Sequence, residues 1–231
     1  MINTASPTHP HTVPTWDLPT RLCHGALVLL VVDAWVSHKF GDVLLRWHTW
    51  NGYAILTLLV FRVIWGFVGS STARFADFIV GWRSLRHYLS GMSHGRMPHH
   101  LGHNPAGGWS VVVLLVLMIL QGGSGLFASD EILASGPLRF LVGAEMSGKL
   151  TTWHSVGFRL LLGMIVLHLG GVFFHLFVGR DNLILPMLTG VKPADKVPSG
   201  VVARMQSPWL ALPVLVGSAL LVWVGIRVWT W

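Results

Sequence analysis

Charged residues are scarce in this chain. Only 11% of its 231 residues are Asp, Glu, Lys or Arg, whereas 52% are hydrophobic. This balance excludes an ordinary soluble globular domain and a disordered protein. A bilayer core about 30 Å thick is crossed by roughly 20 apolar residues in a helix, and the sequence contains several such runs. The composition therefore predicts a helical membrane protein.

Cysteine is nearly absent as well. The single residue, Cys23, cannot form an intrachain disulfide, and the sequence contains no CxxCH pair for covalent attachment of a c-type haem. Any haem would have to be held by ligation and packing alone. The first residues also lack a basic segment that leads into an apolar stretch and a cleavage site, so we expect no removable signal peptide.

Acidic residues are fewer than basic residues in this chain. Sixteen Lys and Arg residues against nine Asp and Glu residues give a formal net charge of +7. In a membrane protein such an excess is typical of cytoplasmic loops. We therefore expect a lipid bilayer, and no nucleic acid, among the partners of this chain.

Apolar stretches divide the chain into five predicted spans, at 22–37, 48–68, 109–128, 152–178 and 208–229. The predicted fold is an all-α membrane protein in which a four-helix transmembrane bundle is followed by a fifth, C-terminal transmembrane helix. We expect one domain over 1–190, with an N-terminal tail at 1–15, and a linker with the additional helix over 191–231. The long connection at 69–108 has room for a surface helix.

The connecting loops differ in charge. Loop 69–108 has four arginines against one aspartate, whereas 129–150 has three acidic residues against two basic ones. By the positive-inside rule the first loop faces the cytoplasm and the second the periplasm. We therefore expect a cytoplasmic N-terminus.

Four histidines, His24, His48, His154 and His168, lie in or at the ends of the spans, where a histidine usually has a partner or a ligand. His154 and His168 are separated by roughly 21 Å of helical rise and lie within about 40° of one face. In the predicted topology His48 can face His154 at one depth, and His24 can face His168 at another. Two opposed pairs at two depths are what two six-coordinate haems stacked across a membrane require.

Two further histidines compete with these. His38 is also fourteen residues from His24, and His175 follows His168 by seven on the same stripe. Depth predicts that both lie at the membrane interfaces. By depth alone, however, His24 can meet His175 as readily as His168, so spacing leaves that choice open.

The chain resembles the bacterial cytochrome b561 family, which includes the membrane cytochrome subunits of nickel-iron hydrogenases. The resemblance covers roughly residues 15–190 and rests on four motifs: Trp16-Asp-Leu-Pro-Thr-Arg-Leu-Cys-His24, His48-Thr-Trp-Asn-Gly52 leading to Phe61-Arg-Val-Ile-Trp-Gly66, Gly102-His-Asn-Pro-Ala-Gly107, and His154 with His168. It implies a multi-pass protein of the bacterial inner membrane with two non-covalent b haems. Carried over, it pairs His24 with His168 and His48 with His154.

Two arginines within the spans are candidates for binding haem propionates, because Arg matches a carboxylate bidentately. Arg62, near the inner end of its span, suits the inner haem. Arg159 lies about 7 Å from His154 by helical rise and suits the outer haem or a pair with Asp33. A structural ion pair or snorkelling toward the interface is an equally ordinary role for both.

The resemblance implies electron transfer between the quinone pool and a periplasmic partner, such as a c-type cytochrome or a dehydrogenase or hydrogenase subunit. One alternative is a stand-alone superoxide:quinone oxidoreductase. Another, from a different class, is a histidine-lined metal transporter, which would show no b-type haem bands. The loop histidines His94, His99, His100 and His103 lack regular zinc spacing, so we do not expect them to bind a metal.

Overall fold

The computed structural model describes residues 12–40, 45–129 and 135–228. Within these ranges the chain forms eight α-helices and two short strands. In chain order they are β1 (Thr12–Pro14), α1 (Leu18–Lys39), α2 (Leu45–Val68), α3 (Phe75–Phe78), α4 (Trp82–Ser93), α5 (Pro105–Gly125), α6 (Ala144–Phe177), α7 (Ile184–Thr189), β2 (Val191–Pro193) and α8 (Ala211–Arg227).

Five helices in the described part of the chain are long and apolar enough to cross a membrane: α1, α2, α5, α6 and α8 with the turn before it. The predicted membrane fold and its five spans are confirmed. The fourth spanning helix, α6, starts at Ala144, eight residues earlier than predicted. In its first turns Lys149 Nζ forms an ion pair with Glu145 Oε1, one turn away, at 2.6 Å. At 1.5 Å per residue this 34-residue helix is about 51 Å long and extends beyond the bilayer core.

Side-chain caps explain where two of the spans begin. Asp17 Oδ1 accepts a hydrogen bond from the Thr20 amide at 2.7 Å and starts α1. Asn104 accepts one from the Gly107 amide at 2.7 Å and starts α5, whose first residue is Pro105. Both patterns are ordinary N-caps with a proline in the first turn. Asp17 Oδ2 also accepts a hydrogen bond from the Trp65 indole at 3.1 Å, which joins α1 to the end of α2.

The spanning helices pack in an open arrangement. α1 packs on α2, α2 on α5, α5 on α6, and α8 on the outer side of α2. A buried cluster that includes Leu27, Leu59, Trp65 and Leu115 holds α1, α2 and α5 together. The backbone of α6 stays apart from those of α1 and α2 over nearly all of its length. A cleft therefore separates α6 from the α1–α2 pair.

One end of the bundle, which we call the capped end, is covered by β1, β2, α3, α4 and α7. There β1 and β2 pair antiparallel, so the chain before α1 and the chain after α6 meet. The predicted surface helix of loop 69–108 is confirmed as α4, which buries Leu85 and Tyr88. The other end, which we call the open end, carries the connection between α5 and α6.

A buried ion pair fastens the capped end. Lys192 Nζ donates to Asp181 Oδ2 at 2.8 Å and to the His100 carbonyl at 3.0 Å. Both charged side chains are more than nine-tenths buried. Removing one member of such a pair leaves the other charge buried and uncompensated, at about 3–5 kcal/mol. The pair therefore anchors β2 to the loop that follows α6.

Candidate functional site

His48 on α2 and His154 on α6 face each other across the cleft, toward the open end. Their ring centroids lie 6.1 Å apart, with an interplanar angle of 87°. His48 Nδ1 donates to the Ala34 carbonyl at 3.0 Å, and His154 Nδ1 donates to the Gln121 carbonyl at 2.9 Å. Because a carbonyl only accepts, Nδ1 carries the proton in both rings. Each Nε2 is left with a free lone pair.

This donor set fits one iron with two axial imidazoles. Among the described residues, neither Nε2 has a hydrogen-bond partner. Two imidazoles bound through nitrogen at about 2 Å on opposite sides of one metal ion place their ring centroids about 6 Å apart. Hydrogen bonds from the distal ring nitrogen to backbone carbonyls are the usual support for a metal-binding histidine.

A glycine on α5 makes room for the His154 ring. A Cβ at Gly125 would lie 2.9 Å from His154 Cε1 and 3.1 Å from its Nδ1. Any larger residue at this position would displace the imidazole from the orientation that its bond to the Gln121 carbonyl sets. Gly125 therefore positions a candidate ligand, although nothing in the sequence singles it out.

His24 on α1 and His168 on α6 form the second pair, nearer the capped end. The two imidazoles are close enough to interact electrostatically. His168 Nδ1 lies 3.3 Å from the hydroxyl of Ser110 on α5. Within the described part of the chain, the His24 ring has no hydrogen-bond partner. The structure therefore brings the four predicted histidines to the cleft as two pairs.

Arg62 lies beside the second pair. Its side chain interacts electrostatically with His24 and is only 6% exposed, yet Nη1 has no hydrogen-bond partner among the described residues. Its guanidinium carbon lies 5.3 Å from the Phe75 ring centroid. A buried guanidinium without a hydrogen-bonded anion is costly. The environment of Arg62 therefore fits a carboxylate such as a haem propionate.

Arg159 is placed differently. It is exposed, and it lies about 140° around α6 from His154. The alternative ion pair with Asp33 is not present among the described residues; Asp33 Oδ2 accepts a hydrogen bond from Asn51 Nδ2 at 2.6 Å. The predicted role of Arg159 at the outer haem has no support from this geometry.

His175 is held by the protein on both sides of its ring. Nδ1 donates to the Gly171 carbonyl at 2.9 Å, so Nε2 is an acceptor. It accepts from the Asn104 amide at 3.1 Å and from the Tyr88 hydroxyl at 2.9 Å. Burial, with Asp181 nearby, raises the pKa of Tyr88 to about 12, which keeps this hydroxyl protonated. His175 has no free nitrogen for a metal.

His38, the other competitor, is an exposed residue near the end of α1. Its ring centroid lies 5.9 Å from that of His48, at an interplanar angle of 52°. His48 is thus flanked by two imidazoles, and distance alone does not distinguish them. The hydrogen bond from Nδ1 to a backbone carbonyl distinguishes His154, since no such bond is present for His38 among the described residues.

The loop histidines do not converge. His103 lies between the rings of Trp16 and Phe78, at 4.7 and 4.4 Å between centroids. Burial, with Arg62 adding to the effect, lowers the pKa of His103 to about 3, so the ring is neutral at neutral pH. His99 instead lies 3.4 Å from Asp181. Within the described ranges no group of three or more His, Cys, Asp or Glu side chains could hold a metal ion.

Sequence reasoning missed the groups that orient the ligands. The acceptors for His48 and His154 are backbone carbonyls, which leave no mark on the sequence. Asn51, a polar residue inside a span one turn after His48, is visible in the sequence, and it joins α2 to α1 by a hydrogen bond to Asp33. Its side chain is 5% exposed and also donates to the Leu30 carbonyl at 2.9 Å.

A helical membrane bundle with two histidine pairs across one cleft has the architecture of a membrane b-type cytochrome. The family model for prokaryotic cytochrome b561 matches residues 15–190. The chain therefore belongs to that family, a family of b-type haem proteins of electron transfer, and the resemblance seen in the sequence is confirmed. The match ends before α8. No match was found among curated proteins or among solved structures.

Proposed function

We propose that this protein carries electrons across the bacterial inner membrane between the quinone pool and a periplasmic redox partner. Two haem b groups are held in the cleft, one by His24 and His168 and one by His48 and His154. The observation that carries the proposal is the geometry of His48 and His154, whose rings lie 6.1 Å apart with both Nδ1 protons engaged by carbonyls.

Haem b, when bound, supplies a one-electron iron couple. The chain contributes ligation, orientation and charge. The carbonyls of Ala34 and Gln121 hold the two outer imidazoles in one tautomer and make Nε2 a better electron donor. Arg62 binds a propionate at the inner haem and is neutralised by it.

The capped end faces the cytoplasm in this proposal. It carries the arginine-rich connection at 69–108, including Arg74, Arg83 and Arg86, which fits the positive-inside rule. The open end then faces the periplasm, close to His48 and His154. A c-type cytochrome or a subunit of a periplasmic dehydrogenase or hydrogenase would exchange electrons there.

The test uses purified, haem-loaded protein in liposomes under anaerobic conditions. A short-chain quinol should produce reduced b-type bands that account for both haems, and oxidised cytochrome c added outside should restore the oxidised spectrum. The matched variant His48→Ala should lose the outer haem and keep the inner one, which dithionite still reduces. Haems that dithionite reduces and quinol does not would sink the proposal.

The same preparation separates the alternatives. Faster reduction by superoxide than by quinol, abolished by superoxide dismutase, would favour the stand-alone superoxide:quinone oxidoreductase. Protein that purifies in folded form without b-type bands would favour the metal transporter.

A further inference from the structure

The fifth span forms a groove with α2 that opens to the bilayer near the open end. Its volume is about 630 Å³, within the range of small-molecule sites. Trp50 and Tyr53 of α2 and Trp223 of α8 line it, and Pro137 of the connection between α5 and α6 closes one side. Because α8 follows the residues matched by the family model, this groove is not part of the four-helix core.

The groove is lined largely by aromatic rings, and its polar groups include the Tyr53 hydroxyl and the Arg227 guanidinium. The indoles of Trp50 and Trp223 are stacked at 6.3 Å and 26°, and Tyr53 meets Trp50 edge to face at 5.6 Å. The Arg227 guanidinium lies 4.7 Å from the Trp223 ring centroid and interacts electrostatically with Tyr53. The Tyr53 hydroxyl has no hydrogen-bond partner among the described residues. The groove therefore presents the π-faces of its aromatic rings and two side chains that can donate hydrogen bonds, Tyr53 and Arg227.

The groove lies at the depth of the outer histidine pair. Trp50 and Tyr53 follow His48 by two and five residues, a rise of about 3 and 7.5 Å. They are about 140–200° around the helix from His48. A ring bound in the groove would therefore be separated from the outer pair by the thickness of α2 alone.

We propose that this groove binds the head ring of a quinone, with Tyr53 and Arg227 donating hydrogen bonds to its carbonyl oxygens. Electron-rich indoles complement an electron-poor planar ring, and the two donors complement the partial negative charge of the carbonyls. The groove's opening to the bilayer leaves the isoprenoid tail in lipid. This inference rests on the proposed function, since the quinone pool supplies the ligand.

A second groove serves as an internal comparison. It lies between α1, α2 and the start of α8, has a volume of about 440 Å³ and includes Leu22, Leu212 and Trp209. Its lining is almost wholly apolar, and Cys23 in its wall already bonds to the Leu58 carbonyl at 3.7 Å. Apart from the Trp209 indole N–H it offers no second side-chain donor for a pair of carbonyl oxygens, so it suits an acyl chain rather than a quinone head.

The experiment measures equilibrium binding of ubiquinone-1 and of menadione to haem-loaded protein in nanodiscs, with empty nanodiscs as the partition blank. Wild type should bind one of them saturably, at one per chain. Tyr53→Phe and Arg227→Met should each weaken binding about threefold to tenfold through loss of one donor. Trp223→Leu should weaken it about tenfold, and the control Trp209→Leu, in the other groove, should bind like wild type.

The outcomes separate this inference from the proposed function. If quinol reduces the haems and the Tyr53, Arg227 and Trp223 variants bind quinone like wild type, the groove is not the quinone site, but the proposed function stands. If quinone binds saturably and these variants weaken its binding, but the same quinol does not reduce the haems, the proposed function is wrong and the groove remains a quinone site. Non-saturable uptake, or a loss confined to Trp209→Leu, would mean that the aromatic residues form an interfacial belt only, which overturns the inference.

Discussion

His168→Ala and His175→Ala should have opposite effects, although both change a histidine on one face of α6. His175 has three hydrogen-bond partners, of which Tyr88 and Asn104 belong to other elements. Removing its ring leaves two buried polar groups without that partner, at about 1–3 kcal/mol each. We therefore expect His175→Ala to be destabilised by about 2–6 kcal/mol while it retains both low-spin haems.

His168 presents the reverse case. It is half-buried, and its single hydrogen bond, to Ser110 at 3.3 Å, is long. Its loss destabilises the polypeptide by only about 1 kcal/mol. If His168 is an axial ligand of the inner haem, as proposed, losing its imidazole also removes a coordinate bond. We expect His168→Ala to lose that haem or turn it high-spin, and His24→Ala to reproduce the defect because the two residues are the proposed ligands of one iron.

Two measurements on purified protein separate these effects. The haem-to-protein ratio and the low-spin spectrum report ligation, and the Tm reports the polypeptide. For a chain of this size 1 kcal/mol corresponds to about 2–4 °C, so the Tm of His175→Ala should fall by about 4–24 °C. Should that variant fail to fold, His175→Gln retains part of the hydrogen bonding. A haem lost from His175→Ala, with two low-spin haems in His168→Ala, would refute the pairing.

Three further predictions concern stoichiometry, topology and charge. A pyridine haemochrome assay should give two acid-extractable haems per chain; a ratio near one would contradict the paired ligand sets. In a Cys23→Ser background, Ser135→Cys should react with an impermeant maleimide in intact cells and Ser93→Cys only after the cells are opened; external labelling at 93 would reverse the orientation. Arg62→Met should weaken inner-haem retention about 10- to 150-fold, the equivalent of about 1.5–3 kcal/mol, whereas Arg159→Met, at an exposed position, should retain both haems.

Much of the fold was predictable because its causes are local. Hydropathy over about 20 residues defines a span, and all five spans were found. The start of α6 was missed because residues 144–151 form helix that extends beyond the bilayer core, where hydropathy gives no signal. The short pairing of β1 with β2 was also missed, since it depends on residues about 180 positions apart.

Glycine spacing was a weaker guide than histidine spacing. Gly52, Gly157 and Gly171 follow candidate ligands by three or four residues, a spacing that by itself suggests room for a flat macrocycle beside those helices. A Cβ at Gly52 or Gly171 would meet nothing within 4 Å, which agrees with an open cleft. At Gly157 a Cβ would lie 2.7 Å from Gln121 Oε1, so this glycine accommodates the neighbouring helix instead. Spacing on one helix cannot predict what the facing helix brings to it.

The same reason explains why spacing left His168 and His175 unresolved. Both lie on one stripe of α6, and what separates them is contributed by residues 87 and 71 positions before His175, on α4 and at the N-cap of α5. Tyr88 and Asn104 satisfy the Nε2 of His175, whereas no side chain does so for His48 or His154 in the described chain. A ring nitrogen that the protein satisfies is structural, and one that it leaves free beside a cleft is available to a metal. The distinction between structural and ligand histidines is therefore a tertiary property, carried by the partners rather than by the histidines themselves.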